Sequence, residues 1–380
     1  MRRLRTASRR RLLTVVAAVL ALAAGGGIAQ AALSGAGPTP DPKPLDRAVR
    51  DALNAPDVEG ISARVTFTNG LLPAGSLPAG SASPLAAGAE GRLWLSPGGG
   101  ARLELQSDAG DAQIVSDGER VTVYDSSSRT AYTMPAPQHD KTRNDEQASL
   151  ADVRRGLDRL ARAWTLSAAQ PTSTAGQPTY TVRIAPKDDG GLLGAAELAW
   201  DAARGVPLRA AVYAQGQDEP VLELEADDVS YGPIDADVFD TEPPAGTEIV
   251  EVDPAVDKDG KPSRVRGVDA VQERLGFQLS APATLAGLPR TDVRLVDAGG
   301  SPAALSVYGE GIGAILVLQR EAGEQRGVPG GLPRVNIDGA TGTEIATPLG
   351  TLVTFERGGV SYTVVGSVPP VAAENAARGL

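Results

Sequence analysis

The sequence contains no cysteine. This absence excludes disulfide bonds, thiol nucleophiles, cysteine-bound metals and a lipid-modified N-terminal cysteine. A secreted domain without disulfides must be stabilised by its apolar core. A chain of 380 residues, 42% of them hydrophobic, can bury such cores, and its length favours two domains.

Patterns typical of catalysis or metal binding are missing as well. The single histidine, His139, lies on a polar segment, and we interpret it as a solvated loop residue because catalytic histidines are held by oriented neighbours. Ser96 and Ser116 lie in no Gly-x-Ser-x-Gly motif. Glycines 98–100 connect two predicted strands, with no helix behind them to bind phosphate. We therefore predict that the protein is not an enzyme and has no catalytic residue, metal site or cofactor.

Positive charge is scarce except at the N-terminus. The formal net charge of -11 argues against a nucleic-acid partner, because phosphates attract basic surfaces. The first eleven residues are nevertheless rich in arginine, and an uncharged apolar run follows at residues 12–33. A basic segment followed by an apolar one is the pattern of an export signal.

Two fates of residues 1–33 stay open at this point. They form either a signal peptide, cleaved after the small-x-small motif at 29–31, or a retained membrane anchor, since about 20 apolar residues span a bilayer. Both fates place the rest of the chain outside the cytoplasm, as a periplasmic, cell-surface or secreted protein. The preference for arginine over lysine and the abundant alanine indicate a bacterial source with a GC-rich genome.

Apolar and polar residues alternate in short bursts over residues 91–135, with glycine- and aspartate-rich turns between the bursts. This period of two predicts an antiparallel meander. Further strand patterns follow at residues 180–184, 197–201, 208–214, 221–225 and 229–231. About ten strands with one helix between them predict an unclosed, strongly curved antiparallel β-barrel carrying helices.

The helix inserted between these strands is predicted over residues 148–164, with an apolar face that packs against the sheet. We expect an apolar, ligand-binding cavity between the curved sheet and this helix. The large side chains best placed to line it are Trp94, Tyr124, Tyr132, Met134, Leu157, Leu160, Trp164 and Trp200. Each of them is also of the kind that fills an ordinary core, so only the whole set predicts a cavity.

The composition divides the chain into five segments. Residues 1–33 are the signal peptide or anchor, 34–44 a proline-rich spacer, 45–250 the half-barrel domain, 251–264 a linker and 265–380 a small α+β domain. The half-barrel domain begins with a short helix predicted at residues 45–53. Residues 70–88 form a loop rich in glycine, alanine, serine and proline, whose role the sequence does not indicate.

Three stretches carry a resemblance to a known family. They are the hairpins GRLWLSPGGGARLELQS and SDGERVTVYDSSSRTAY, the strand-like stretches at 205–209, 228–232 and 238–240, and the C-terminal YTVVGSVPPVAAENAARGL. Their patterns and order resemble the LolA-like superfamily of bacterial envelope proteins, in particular its two-domain RseB/MucB type. The resemblance implies an unclosed β-barrel, an apolar pocket for lipid acyl chains, and a second domain that helps to bind an anti-sigma factor. No partner-contact residue of the family can be matched here.

Two hypotheses of function follow. The first is an extracytoplasmic protein that binds a lipid or another amphiphile, as a carrier or stress sensor, and that regulates a membrane anti-sigma factor. The second is a structural or protein-interaction domain of the cell envelope, with a solid barrel and a partner docked on the C-terminal domain. The sequence does not distinguish them, because both need the export segment and neither needs catalytic residues.

Overall fold

The computed structural model describes residues 37–72, 83–97, 99–136, 149–187, 191–240, 242–251, 265–298, 301–323 and 333–380. The chain divides into two compact units, each with its own sheet. The first comprises Met1–Asp188 and Gly194–Glu251, and the second comprises Asp189–Leu193 and Val252–Leu380. Residues 1–33, His139 and nearly all of the predicted linker lie outside the described residues.

The first unit is mainly a mixed sheet of thirteen strands. Its helices are α1 (Leu45–Asn54), α2 (Pro84–Ala87) and α3 (Leu150–Leu160). Its strands are β1 (Ile61–Asn69), β2 (Ala89–Leu95), β3 (Ala101–Ser107), β4 (Gly110–Ser116), β5 (Arg120–Asp125), β6 (Thr130–Pro135), β7 (Trp164–Leu166), β8 (Gln170–Thr174), β9 (Gln177–Pro186), β10 (Leu193–Asp201), β11 (Pro207–Ala214), β12 (Leu222–Tyr231) and β13 (Glu248–Glu251).

The predicted meander is confirmed in β2–β6, where each strand pairs antiparallel with the next. The sheet order is β13-β6-β5-β4-β3-β2-β1-β12-β11-β10-β9-β7, and β8 also pairs with β9. Strand β13 pairs parallel with β6, which makes the sheet mixed. Gly110 and Gly118 have positive φ angles of 115° and 94° where the chain reverses, which explains why glycine occupies these turns.

The two faces of β1–β5 differ in polarity. Strand register places Leu93 level with Leu103 and Ile114, on a face that also carries the buried Val65 and Leu105. We call this side the apolar face. The opposite face carries Trp94 and, level with it, Arg102, Val115, Thr122 and Thr133. A period of two produces this separation, since neighbouring residues of a strand point to opposite sides.

Helix α1 covers part of the sheet, as its sequence predicts. Ala48 is buried, and Leu45, Val49 and Ala52 pack with it at helical spacing. The side chains beneath them are Tyr180, Val182 and Trp200 of β9 and β10. Burial of this stripe provides the main stabilisation of such a short helix, because an isolated helix of ten residues is marginal in water.

Helix α3 is shorter and more exposed than the sequence predicts. The Ser149 side chain caps it by accepting a 3.1 Å hydrogen bond from the Asp152 amide. The helix ends at Leu160, and Trp164 instead starts β7, paired with Pro186 of β9. The predicted extension to 164 is therefore wrong, because the aromatic and β-branched residues there pair with a free sheet edge. Val153 is the only buried residue of α3.

The sheet bends sharply between β8 and β12. Residues of these two strands approach within 8 Å, although β9, β10 and β11 lie between them in the sheet order. Flat strands four positions apart would be separated by about 19 Å, at about 4.8 Å per step. The second half of the first sheet is therefore strongly curled.

The second unit is a curled half-barrel sheet of eight strands with two helices. The helices are α4 (Val268–Gln272) and α5 (Pro370–Arg378). The strands are β14 (Thr284–Leu285), β15 (Leu288–Asp297), β16 (Pro302–Tyr308), β17 (Ile315–Glu321), β18 (Arg334–Ile337), β19 (Ala340–Thr347), β20 (Gly350–Arg357) and β21 (Val360–Gly366), in the order β14-β15-β16-β17-β21-β20-β19-β18.

One face of this second sheet is closed by α5. Ala373, Ala376 and Ala377 are fully buried in a cluster that includes Val317 and Val353. Alanine at these positions lets the helix approach the strands closely, and small residues at a close contact avoid overpacking. Helix α5 completes the core of the second unit.

The predicted distribution of sheets needs correction. The sequence places a half-barrel at residues 45–250 and a small α+β domain at 265–380, whereas the C-terminal sheet is itself a curled half-barrel and the regular structure of the described residues is mostly β. The strands missed by sequence reasoning include β18 and β19, with the sequences RVNI and ATGTEIAT. β18 is too short to show a pattern, and in β19 polar β-branched threonines obscure the alternation.

Candidate functional site

The eight side chains predicted to line a cavity are distributed over different parts of the first unit. Trp94 and Tyr124 lie on the opposite face, both half-buried, and the Arg102 guanidinium lies 5.7 Å from the Trp94 ring centre. Tyr132 and Met134 lie on the apolar face of β6, where Tyr132 is 43% exposed. The register therefore separates these four residues into two pairs on opposite sides of the sheet.

The other four predicted residues belong to α3, β7 and β10. Leu157 of α3 and Trp164 of β7 are half-buried, and Leu160 is 37% exposed. Trp200 is 4% exposed and packs beneath α1, with its ring centre 6.1 Å from that of Tyr180. Among the described residues the set is not gathered around one space, and the cavity it was predicted to line stays a prediction.

A small enclosed space does exist on the apolar face. It is lined by Ile61, Val65, Leu93, Leu95, Leu208 and Leu224, and its volume is about 20 Å³. Such a volume holds about one water molecule. In the conformation seen, it does not have room for an acyl chain.

A larger groove lies on the opposite face, and we call it the β4–β5 groove. Its volume is about 450 Å³, within the usual range for ligand sites. Its apolar lining comes from Val115 of β4 and from Ile234 and Phe239, which flank a 3-10 turn at Ala236–Val238. Its polar lining comes from the carboxylates of Asp117 and Asp240, the guanidinium of Arg120 and the hydroxyls of Ser96 and Thr122. The groove thus combines an apolar floor with two carboxylates and one cation.

The curled half of the first sheet buries a charged network centred on Arg209, which is 7% exposed. Its guanidinium donates a 2.6 Å bond to Glu223, a 2.9 Å bond to Glu197 and a 2.8 Å bond to the Tyr213 hydroxyl. The Tyr213 hydroxyl in turn donates to Glu197 at 2.9 Å. Arg183 donates to the other oxygen of Glu197, also at 2.9 Å.

Burial and pairing act together on the ionisation of this network. Burial alone would lower the pKa of Arg209, but the Glu223 carboxylate and the hydrogen bonds to Tyr213 and Glu197 outweigh it and raise that pKa. Burial raises the pKa of Tyr213 to about 12, so its hydroxyl stays protonated and can donate. Burial also raises the pKa of Glu225, which lies 3.4 Å from Arg209. The network is a structural element rather than an acid-base site, because its members satisfy one another.

The second unit carries an unusual apolar surface on the face away from α5. Strand register aligns one residue from each of five neighbouring strands, β16, β17, β21, β20 and β19. These residues are Val307, Leu316, Val365, Leu352 and Ile345, and we call them the apolar row. Leu316 is 37% exposed and Val365 36%, while the other three are half-buried. A contiguous exposed apolar stripe marks an interaction site more often than scattered residues do.

Within the described ranges, no group of three or more His, Cys, Asp or Glu side chains is placed to hold a metal ion. The same ranges contain no helix with the length and apolar character needed to cross a membrane.

Comparison by sequence identifies no relative. No protein-family model matches the chain. No curated protein matches it either.

Comparison by structure finds similar proteins. MucB of Pseudomonas aeruginosa, solved in complex with MucA, is 15% identical, with a TM-score of 0.41 over 88% of this chain and 94% of that one. MucB solved alone gives the same identity and TM-score, over 88% and 96%. A LolA superfamily protein from Nitrosomonas europaea is 12% identical, with a TM-score of 0.21 over 52% of this chain and 98% of that one. The chain is thus structurally similar to MucB and LolA superfamily proteins, the groups that its sequence motifs resemble.

Sequence reasoning missed the apolar row and the β4–β5 groove. Each row member was visible as an apolar residue in an alternating strand, but alternation does not tell which of the two faces is covered. The groove depends on Phe239 returning to the sheet, where a side chain at Gly100 would collide with its ring. The signal available for the groove was the acidic composition of the two segments around Asp117 and Asp240.

Proposed function

We propose that this chain is an extracytoplasmic regulatory protein of the bacterial cell envelope that binds a partner protein through the apolar row. The single observation that carries the proposal is the alignment of five apolar side chains on the face of the second sheet opposite helix α5. Solvent-exposed apolar area is favourable to bury, at about 25 cal/mol per Å². The row therefore provides a driving force for association.

The proposed partner is the extracytoplasmic segment of a membrane anti-sigma factor. The sequence motifs resemble RseB/MucB-type proteins, and that resemblance implies a second domain that helps to bind such a factor. The motif YTVVGSVPPVAAENAARGL, one of the three, contains most of β21 and all of α5, and so supplies both Val365 and the helix behind the sheet. The sequence prediction that the protein lies outside the cytoplasm and is not an enzyme belongs to the same proposal.

Site-specific photo-crosslinking in cells tests this proposal. A photoreactive residue at Leu316 should form an adduct with a membrane-anchored protein, whereas one at Gln217, an exposed turn residue of the first unit, should not. The purified extracytoplasmic region of that protein should bind the wild-type chain. Leu316→Lys with Val365→Lys should weaken the complex by about tenfold or more, because charges in an apolar contact stay unpaired.

Two outcomes would contradict the partner assignment. An adduct formed only between two copies of the chain would make the row a self-association surface. Equal binding by the double-lysine variant and by Gln217→Lys would remove the row from the interface.

A second function, amphiphile binding by the first unit, is supported by a separate observation. Seven of the eight residues predicted to line a cavity keep accessible surface, all except Trp200. The bend between β8 and β12 supports the curved, unclosed barrel that such binding requires. Native mass spectrometry of the purified protein checks it, together with titration of a fluorescent fatty acid. Absence of bound lipid and of uptake would leave the protein-binding function alone.

A further inference from the structure

We propose that the β4–β5 groove binds a basic peptide segment with an apolar anchor side chain. The groove lies in the first unit, on residues that the apolar row does not share. Peptide binding in the groove is therefore independent of partner binding at the apolar row. If either one fails its test, the other is unaffected.

The floor of the groove is apolar and preformed. Val115 is 8% exposed on β4, and Phe239 packs over the end of β3 near Gly100. The Arg102 guanidinium donates a 2.9 Å hydrogen bond to the carbonyl of Val238, which ties the 3-10 turn to the sheet. A floor held in this way can accept an apolar side chain without first ordering a loop, so little conformational entropy opposes binding.

The carboxylates at the rim lack cationic partners. The oxygen Oδ1 of Asp117 accepts the amides of Glu119 and Arg120, each at 2.7 Å, which fixes the direction of its carboxylate. Among the residues that the structure describes, no lysine or arginine side-chain nitrogen forms an ion pair with Asp117 or Asp240, and the side chain of Arg120 pairs with Glu251 instead. Both carboxylates are therefore available to a cation brought by a ligand.

Arg120, which lines the groove, and Arg102 do not cancel this charge, because each is paired with a glutamate. Arg120 forms an ion pair with Glu251 of β13, with 3.3 Å between nitrogen and oxygen, and Arg102 pairs with Glu104. Glu119, the neighbour of Arg120 in sequence, is a further exposed carboxylate. The local charge is thus negative, as is the whole chain, and it disfavours anionic lipids while attracting cations.

The shape of the groove distinguishes a peptide from a simple cation. An extended peptide places alternate side chains on opposite sides, so one apolar residue can point to the floor while its neighbours reach the rim. A volume of about 450 Å³ has room for such an anchor and the backbone that carries it. A polyamine would meet the same carboxylates but would leave the floor of Val115, Ile234 and Phe239 uncovered.

Fluorescence anisotropy on the full chain tests the charge requirement. The probes are three labelled peptides in which leucine alternates with lysine, with glutamate or with serine, and spermine serves as a competitor. The lysine peptide should bind most tightly of the three. Its affinity should fall when the salt concentration is raised to about 0.15 M, where the Debye length is about 8 Å. Tighter binding of the glutamate or serine peptide, or full displacement by equimolar spermine, would overturn the assignment.

Matched variants localise the binding. Asp117→Asn with Asp240→Asn should weaken the lysine peptide by about three- to tenfold, the range for two exposed ion pairs. Asparagine keeps the turn-forming oxygen at 117, so folding should not change. The control, Asp218→Asn with Glu219→Gln, removes the same charge from the exposed β11–β12 turn and should leave affinity unchanged. Equal loss in both variants would show attraction to net charge rather than to the groove.

A methyl-labelled sample gives a readout that does not depend on charge. Addition of the lysine peptide should shift the methyl resonances of Val115 and Ile234, which line the floor. Val353, buried in the core of the second unit, should not respond. Binding without a shift at Val115 and Ile234 would place the peptide elsewhere and refute the proposal.

Discussion

The two sheets of this molecule use their faces in opposite ways. The curled half of the first sheet buries the charged network of Arg209, Glu197 and Glu223, whereas the second sheet leaves Leu316 and Val365 of the apolar row exposed to solvent. Buried charges must be paired, since an unpaired one loses its hydration without compensation. Exposed apolar residues bring no such constraint, and they can be retained for association. The first sheet is therefore specified by internal pairing, and the second leaves a face available to a partner.

Removal of the central cation should have the largest effect on this contrast. Arg209→Ala leaves Glu197, Glu223 and the Tyr213 hydroxyl buried without their common donor, which should destabilise the first unit by about 3–5 kcal/mol. All three tryptophans, Trp94, Trp164 and Trp200, lie in that unit, so urea unfolding followed by tryptophan fluorescence reports its stability.

The matched control is Arg64→Ala on the same sheet. Arg64 forms a 2.6 Å ion pair with Asp228, but both side chains are more than half exposed, so water compensates for its loss. The network would lose its structural role in this comparison if Arg209→Ala unfolded no earlier than Arg64→Ala.

The pH dependence of stability should distinguish two half-buried carboxylates, Glu225 of β12 and Asp51 of α1. Burial raises the pKa of Glu225, so its charged form opposes folding and stability falls as pH rises through that pKa. Glu225→Gln should therefore be more stable than wild type at pH 7, with the difference vanishing below about pH 4.3, the ordinary pKa of glutamate.

Asp51 should show the reverse sign. Hydrogen bonds from Arg50 and Lys43 lower its pKa, so its charged form favours folding above the ordinary pKa of aspartate, and this contribution is lost as pH falls. Asp51→Asn should be less stable than wild type at pH 7 and should approach it in acid. Thermal melting at a series of pH values measures the stability of both variants relative to wild type. If both were more stable, or both less stable, than wild type at pH 7, this interpretation would be contradicted.

Local pattern predicted much of this fold from the sequence. The meander at residues 91–135 and the helix at 45–53 were predicted because alternation and helical spacing are properties of neighbouring residues. The curl of β8–β12 and the second half-barrel depend on which strands meet, and that is decided by contacts distant in sequence. The register that aligns Leu316 with Val365 joins residues that are 49 positions apart in the sequence (365 − 316). No local pattern carries that information.

The same distinction explains the cavity residues. Trp94 and Tyr132 were grouped because both are large and lie in the same meander, but their registers place them on opposite faces. Composition selects large side chains without indicating which way they point. Trp200 shows the complementary case, because the same size that suggests a ligand site also fills the core beneath α1.

The smallest effect on stability is expected for substitution of Leu316 in the apolar row. The matched control is substitution of Val317, the next residue on the same strand. Leu316→Thr should change the free energy of unfolding by no more than about 0.5 kcal/mol, as is usual for surface substitutions. Val317→Thr, on the same strand but facing the α5 side, should be destabilising by about 1–3 kcal/mol, because it buries a hydroxyl among apolar side chains. Far-UV circular dichroism during urea unfolding reports both units, and tryptophan fluorescence identifies the part that belongs to the first unit, because the second contains no tryptophan. Comparable destabilisation by both substitutions would mean that Leu316 is part of the core, and the second sheet would then have no face free for a partner.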